Sequence, residues 1–166
     1  GVSAGQWVAV VVGAGDADRA IPVPVWTKWI SALLSQESPS SVVLVGSERD
    51  QSAALAIQDG LSPMVAGRLW DATGRTTLPQ LAPLLKRCHW VVGADTGPLH
   101  LAAVVGTRVM GFYFSRARVH ETGPYGRGHW IWQANHALPE TWPIQASVNL
   151  LGEPAAAAQQ EPPAGW

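Results

Sequence analysis

The sequence holds one cysteine, Cys88, among its 166 residues. A lone thiol cannot close a disulfide within the chain or build a cysteine-based zinc cluster, and it suits a reducing compartment. Charge is scarce as well. Charged residues make up 14% of the chain and the net charge is −1, so the basic surface needed for non-specific nucleic-acid binding is missing. No apolar run approaches the length of a membrane span, and no charged start leads into an apolar signal core. There is no Gly-x-Ser-x-Gly elbow, Walker loop or His-Glu-x-x-His, so hydrolase, nucleoside-triphosphatase and zinc-protease readings lack support. What remains is a cytoplasmic domain without a nucleic-acid partner or a transmembrane segment.

What is present fits one globular core. Apolar residues are 47% of the chain, which excludes bulk disorder at a length sufficient for one domain. Trp7 to Val12 is apolar and rich in β-branched residues, and it stops at Gly13-Ala14-Gly15. Such a run, without polar alternation, reads as a strand buried on both faces of a parallel sheet. After a loop with Asp16, Asp18 and Arg19, the residues Trp26, Trp29, Ile30, Leu33 and Leu34 recur at the spacing of an amphipathic helix, which Ser38-Pro39-Ser40 should end.

The alternation then repeats. Ser41 to Val45 reads as a strand, and Ser47 with Asp50 three residues on opens a helix through about Gln58. The segment Val65 to Trp70 reads as a weaker third strand. Thr77 with Gln80 begins another helix with Leu78, Leu81, Leu85 and Cys88 on one face, and Pro83 predicts a late start or a kink. Trp90 to Val92 is a strand, a helix follows from about Pro98 to Val105, and Arg108 to Phe114 is a strand. Trp130 to Trp132 is a short strand near an edge. Of nine Trp, Trp26, Trp29, Trp90, Trp130 and Trp132 fall in patterned segments and belong to the core or an interface. Strands alternating with helices predict an α/β fold, a Rossmann-like parallel sheet with helices on both faces. Residues 1–150 form the domain, and residues 151–166, rich in Ala, Pro and Gln, form a flexible tail.

Ligands of open α/β sheets bind beyond the carboxyl ends of the strands. Three loops leave strands at that side, from Gly13 to Arg19, Gly46 to Asp50 and Ala94 to His100. In the last, Asp95 or Thr96 can cap a helix, Gly97 admits a ligand close to the backbone, and Pro98 suits the first helical turn. Free N–H groups and partial positive charge at a helix start favour a diphosphate, and His100 can add a hydrogen bond. The same residues also read simply as a well-capped helix. Gly13-x-Gly15 lacks the third glycine of a dinucleotide fingerprint, with Asp18 in its place. Arg19 reads equally as a solvated loop charge, Glu48 and Asp50 as helix-start charges, and His89, His120, His129 and His136 as surface or core histidines.

Gly74-Arg75-Thr76-Thr77-Leu78, Ala94-Asp95-Thr96-Gly97-Pro98-Leu99-His100-Leu101-Ala102-Ala103 and Gly106-Thr107 resemble the carboxy-terminal domain of glycosyltransferase family 9, which contains the ADP-heptose:lipopolysaccharide heptosyltransferases. His120-Glu121-Thr122-Gly123-Pro124-Tyr125-Gly126 resembles a turn of the same family. The resemblance spans roughly residues 7 to 132 and implies the carboxy-terminal half of a GT-B glycosyltransferase. The implied activity is inverting and metal-independent transfer of a heptose or related sugar from ADP-heptose to the lipopolysaccharide inner core. No cofactor beyond the sugar nucleotide is implied, and the implied location is cytoplasmic, peripheral at the inner membrane.

The resemblance places Asp95, Thr96, Gly97, Pro98 and His100 on the donor diphosphate and sugar. It places Arg19 on the phosphates and Glu48 on the nucleoside, with Asp50 as alternate. It assigns the acceptor site and the carboxylate general base to an amino-terminal domain outside these residues, so the chain alone should not transfer sugar. Arg19 stands where the family usually has Lys, and Ser115-Arg116-Ala117 stands in place of Gly-Pro-Thr. A catalytically silent sugar-nucleotide-binding module and a member using another donor sugar are the alternative readings.

Overall fold

The computed structural model describes residues 7–36, 40–114, 123–134 and 144–151. Expectations for the end of the first helix at residues 38–39, for residues 115–117 and 120–122, for His136 and for the 152–166 tail lie outside them. Six strands form one sheet: β1 (Trp7–Val11), β2 (Ser41–Val45), β3 (Leu69–Asp71), β4 (Trp90–Ala94), β5 (Arg108–Tyr113) and β6 (Trp130–Gln133). Their order is β3-β2-β1-β4-β5-β6, and every neighbouring pair is parallel. Parallel strands lie under crossover helices on both faces, which explains their unbroken apolar runs. The four strands read most clearly from sequence are contiguous, and the Trp130 strand forms one edge.

The crossovers divide the apolar residues between two layers. Val8, Val10, Val42, Leu44, Trp90 and Val92 face one side, packed with α1 (Val23–Leu34), α2 (Gln51–Asp59) and α6 (Ile144–Leu151). Ala9, Val11, Val43, Val45 and Val91 face the other, under α4 (Leu78–Arg87) and α5 (Gly97–Val104). Trp26, Trp29, Ile30, Leu33 and Leu34 are all buried, as the helical spacing requires. Each buried aliphatic of this size contributes about 1.5–3 kcal/mol. Trp29 also donates its indole N–H to Ser147 Oγ at 2.9 Å, fastening α6 to α1.

The local signals vary in how well they report the ends of elements. Ser47 and Asp50 form a capping box around a 3-10 turn (Glu48–Asp50) that runs into α2. Thr77 and Gln80 form a second one. With that box in place α4 begins at Leu78 and continues through Pro83, so the late start expected from the proline does not occur. Leu78 is 72% exposed and does not join Leu81 and Leu85 in the core. The third strand is shorter and later than expected, because Pro63 at a helix start turns Pro63–Ala66 into a helical turn, α3, and leaves Leu69–Asp71 to pair with β2. No helix among the described residues is long and apolar enough to cross a membrane.

One sheet glycine sets the height of α5. A Cβ at Gly93 would fall 2.9 Å from both Leu99 Cδ1 and Val11 Cβ. Its missing side chain lets Leu99 sink onto β4, so α5 lies close against the sheet. The helix ends at Gly106 with φ +86°, the left-handed conformation that terminates helices at glycine.

Gly93→Ala should therefore destabilise the fold by about 1–3 kcal/mol through overpacking. Leu99→Ala should add less than its separate cost in the double variant, because the two share one clash. Urea unfolding of the single and double variants measures both, and strict additivity would contradict the contact.

Cys88 gives a pH prediction. It is 8% exposed, its Sγ lies 3.4 Å from the Leu84 carbonyl oxygen, and burial pushes the thiol up from 9.0 to about 11. Below the unfolded value the thiol is neutral in both states and costs nothing. As pH rises from 9.0 through about 11, the unfolded chain releases a proton that the folded chain keeps, so stability is lost across that window. The fall in urea midpoint across it should be smaller in Cys88→Ala, and the native thiol should react with thiol reagents only on unfolding.

Candidate functional site

The strand order places the site. From β1 the chain winds outward to β3, then returns to β4 beside β1 and winds the other way, so the loops after β1 and β4 diverge into a crevice. A cleft of about 710 Å³ lies there, within the range of sites that hold drug-sized ligands. All three loops singled out from sequence line it. Gly13, Ala14, Gly15 and Arg19 come from the first, Gly46, Ser47, Arg49 and Asp50 from the second, and Asp95, Thr96, Gly97, Pro98 and His100 from the third. Thr76, Leu78 and Leu81 add an apolar wall from the start of α4.

Asp95 organises the cleft. Its side chain is 6% exposed, lying 3.2 Å from Arg19 Nη1 through Oδ2 and 3.4 Å from His100 Nε2 through Oδ1. A carboxylate so withdrawn from water needs such partners. It also acts on Tyr113, whose buried phenol is held neutral well above its ordinary value, first by desolvation and second by the Asp95 charge. Arg19 Nη2 pairs with Asp16 Oδ2 at 2.5 Å. The Arg19 guanidinium is raised above its usual range, the Asp16 hydrogen bond being the largest cause.

The capped-helix reading of this loop is not what forms. Thr96 occupies the N-cap of α5 but makes no side-chain cap hydrogen bond. Its hydroxyl oxygen is buried without a partner. Asp95 is turned to Arg19 and His100. Gly97 and Pro98 follow in the first turn, where proline removes one N–H that would otherwise be an orphan. The start of α5 thus brings backbone N–H groups with partial positive charge to the cleft, next to Asp95 and the Arg19 it holds.

The second loop is arranged differently from expectation. Asp50 Oδ2 accepts from Ser47 N at 2.7 Å and from Ser47 Oγ at 2.9 Å, and its carboxylate lines the cleft. A Cβ at Gly13 would overlap this carboxylate, and one at Gly46 would fall 2.7 Å from Oδ2. The two glycines therefore let Asp50 sit between the β1 and β2 loops. Glu48 is exposed and not part of the cleft lining; its stem lies under Gly74, 3.1 Å from where a Cβ there would be. Of the two acidic residues, the structure brings Asp50 to the site. Sequence reasoning passed over Arg49, Thr76 and Leu78 as lining residues. The signal for Arg49 was its place in a strand-end loop on the ligand side.

The family model described as glycosyltransferase family 9 (heptosyltransferase) matches residues 6–141. Among solved structures the chain is similar to E. coli ADP-heptose lps heptosyltransferase II, with TM-score 0.80 and 22% identity over 90% of this chain and 47% of that one. It is similar to E. coli heptosyltransferase WaaC with ADP, with TM-score 0.75 and 20% identity over 89% of this chain and 44% of that one. Anabaena Alr3699/HepE in complex with UDP and glucose has TM-score 0.59 and 15% identity over 90% of this chain and 38% of that one. The chain thus spans less than half the length of these structures, and the likeness is one of fold, a Rossmann-like layer of the GT-B kind. No curated protein matches the chain. On the family match over most of its length, the chain belongs to glycosyltransferase family 9.

Proposed function

We propose that this cleft binds the diphosphate of a sugar-nucleotide donor, ADP-heptose or a related sugar nucleotide, and that the chain is the donor-binding part of a glycosyltransferase. The observation that carries this reading is the start of α5, whose N-cap Thr96 makes no side-chain cap hydrogen bond and has its hydroxyl oxygen buried without a partner among the described residues, lining one cleft with Arg19, which is paired to the adjacent Asp95. Arg19 and the α5 N–H groups together offer positive charge to one diphosphate. Asp95 and His100 hold polar atoms where the sugar hydroxyls would come. Asp50 Oδ1 would accept from the ribose, and the Thr76–Leu78 wall would lie against the base.

On this reading the reaction is an inverting displacement in which the diphosphate leaves as the acceptor hydroxyl attacks. Arg19 and the helix start stabilise the charge developing on the leaving group without a metal. The acceptor, a lipopolysaccharide inner core, and the carboxylate base that takes its proton belong to a region outside these residues. The setting is the cytoplasm, at the periphery of the inner membrane.

Calorimetric titration of ADP and ADP-heptose tests the site. Arg19→Ala should weaken both about ten- to a hundredfold, the worth of one charge-assisted hydrogen bond. Binding should weaken as salt rises, because exposed charges are screened over about 8 Å at physiological ionic strength. Asp95→Ala should weaken the sugar nucleotide more than ADP. Unchanged affinities in folded variants would move the site elsewhere. UDP-glucose in the same titration tests the alternative donor.

The purified 166-residue chain should bind donor and transfer no sugar, because chemistry needs donor and acceptor held in one geometry. A radiolabelled-transfer assay with core acceptor checks this, and measurable transfer would contradict it.

A further inference from the structure

The cleft holds a second guanidinium. Arg49 lines it from the loop after β2 and is exposed. Arg19 is shared by Asp16 and Asp95, whereas no hydrogen bond or ion pair among the described residues holds the Arg49 side chain. The neighbouring Asp50 carboxylate is turned to Ser47, accepting from its N and Oγ through Oδ2.

The sheet order says which part of a nucleotide meets Arg49. β2 lies two places from β4. With neighbouring strands about 4.8 Å apart, the loop after β2 sits roughly 10 Å to the side of the α5 start. A diphosphate seated at that start meets this loop through one of the groups it carries. The lining here includes Thr76 and Leu78 as well as Arg49 and Asp50. Leu78 is 72% exposed, an apolar surface that suits the face of a base better than the hydroxyls of a sugar. The nucleoside end is therefore the end that reaches Arg49. A base resting on Leu78 keeps its second face in water unless a planar group covers it. A guanidinium is planar, weakly hydrated and stacks on aromatic faces.

We propose that Arg49 is a nucleobase-binding residue: its guanidinium stacks on the base of the sugar nucleotide and holds it against Thr76 and Leu78. The inference rests on the donor reading of the cleft. Every base has a π face, so the contact favours nucleoside diphosphates as a class and does not choose between adenine and uracil.

The test is calorimetry of ADP, UDP and inorganic pyrophosphate on wild type, Arg49→Ala, Arg49→Lys and Arg19→Ala, with circular dichroism to confirm folding. Arg49→Ala should weaken ADP about three- to tenfold, as loss of a cation–π contact does. UDP should weaken by a similar factor, and pyrophosphate should not change. Arg49→Lys should recover little of the loss, because an ammonium keeps the charge and lacks the planar face. The Arg49→Ala loss should persist as salt rises, while the Arg19→Ala loss shrinks. ADP binding that needs Arg19 but is unchanged in Arg49→Ala would overturn the stacking contact and spare the donor reading. So would a matching loss of pyrophosphate or full rescue by Arg49→Lys, the signs of a phosphate contact. A loss confined to UDP would also overturn it, by showing an edge contact to the uracil carbonyls. ADP binding indifferent to Arg19, or absent from wild type, would overturn both readings.

Discussion

A carboxylate withdrawn from water dictates the positions of whatever neutralises it, and Asp95 does so at the junction of two windings. It stands at the carboxyl end of β4, where the chain has doubled back beside β1, and its partners come from both directions. Arg19 arrives from the loop after β1 and His100 from the first turns of α5. A buried ion pair adds little net stability over apolar packing, yet breaking one is expensive. Its role in this fold is registration. The β1 loop has no extended secondary structure of its own beyond a three-residue turn, and Asp95 tells it where to close.

The second constraint is steric. Gly93 of β4 admits Leu99 to the sheet surface, and that seat fixes α5 in height. A helix start serves an anion only when its N–H groups are aimed and uncapped. Here the aim comes from packing below the helix. The start is left uncapped because Thr96 at the N-cap makes no side-chain cap hydrogen bond and Asp95 before it is turned to Arg19 and His100. Electrostatics and packing thus converge on one backbone segment. The first turn of α5 is held from beneath by apolar contacts and left open above.

Much of this was legible in the residues. The strands could be read because a parallel sheet covered on both faces asks for apolar residues at every position. The first helix could be read because Trp26, Trp29, Ile30, Leu33 and Leu34 are all turned to one layer. Three strand-end loops pointed to one crevice, and the structure joins them there. What stayed hidden depended on contacts distant in sequence. Leu78 shares the spacing of Leu81 and Leu85, but the spacing does not say that the first turn of α4 stands out at the cleft mouth. Pro83 predicted a late start or a kink, and the capping box of Thr77 and Gln80 sets the start at Leu78 despite it. Thr96 looked like a cap by residue type, and only the three-dimensional demand of Asp95 and Arg19 shows an open helix end. Glu48 and Asp50 share the loop after β2 and the resemblance favoured Glu48, while the fit of a carboxylate between Gly13 and Gly46 is what puts Asp50 in the cleft lining.

The two positive features of the cleft differ in kind. The helix start is built from backbone and cannot withdraw. Arg19 is a side chain divided between a buried and an exposed carboxylate. A planar guanidinium can meet both carboxylates at once, Nη1 toward Asp95 and Nη2 toward Asp16, and so holds the β1 loop in register. A lysine in its place would have to meet both demands with one ammonium.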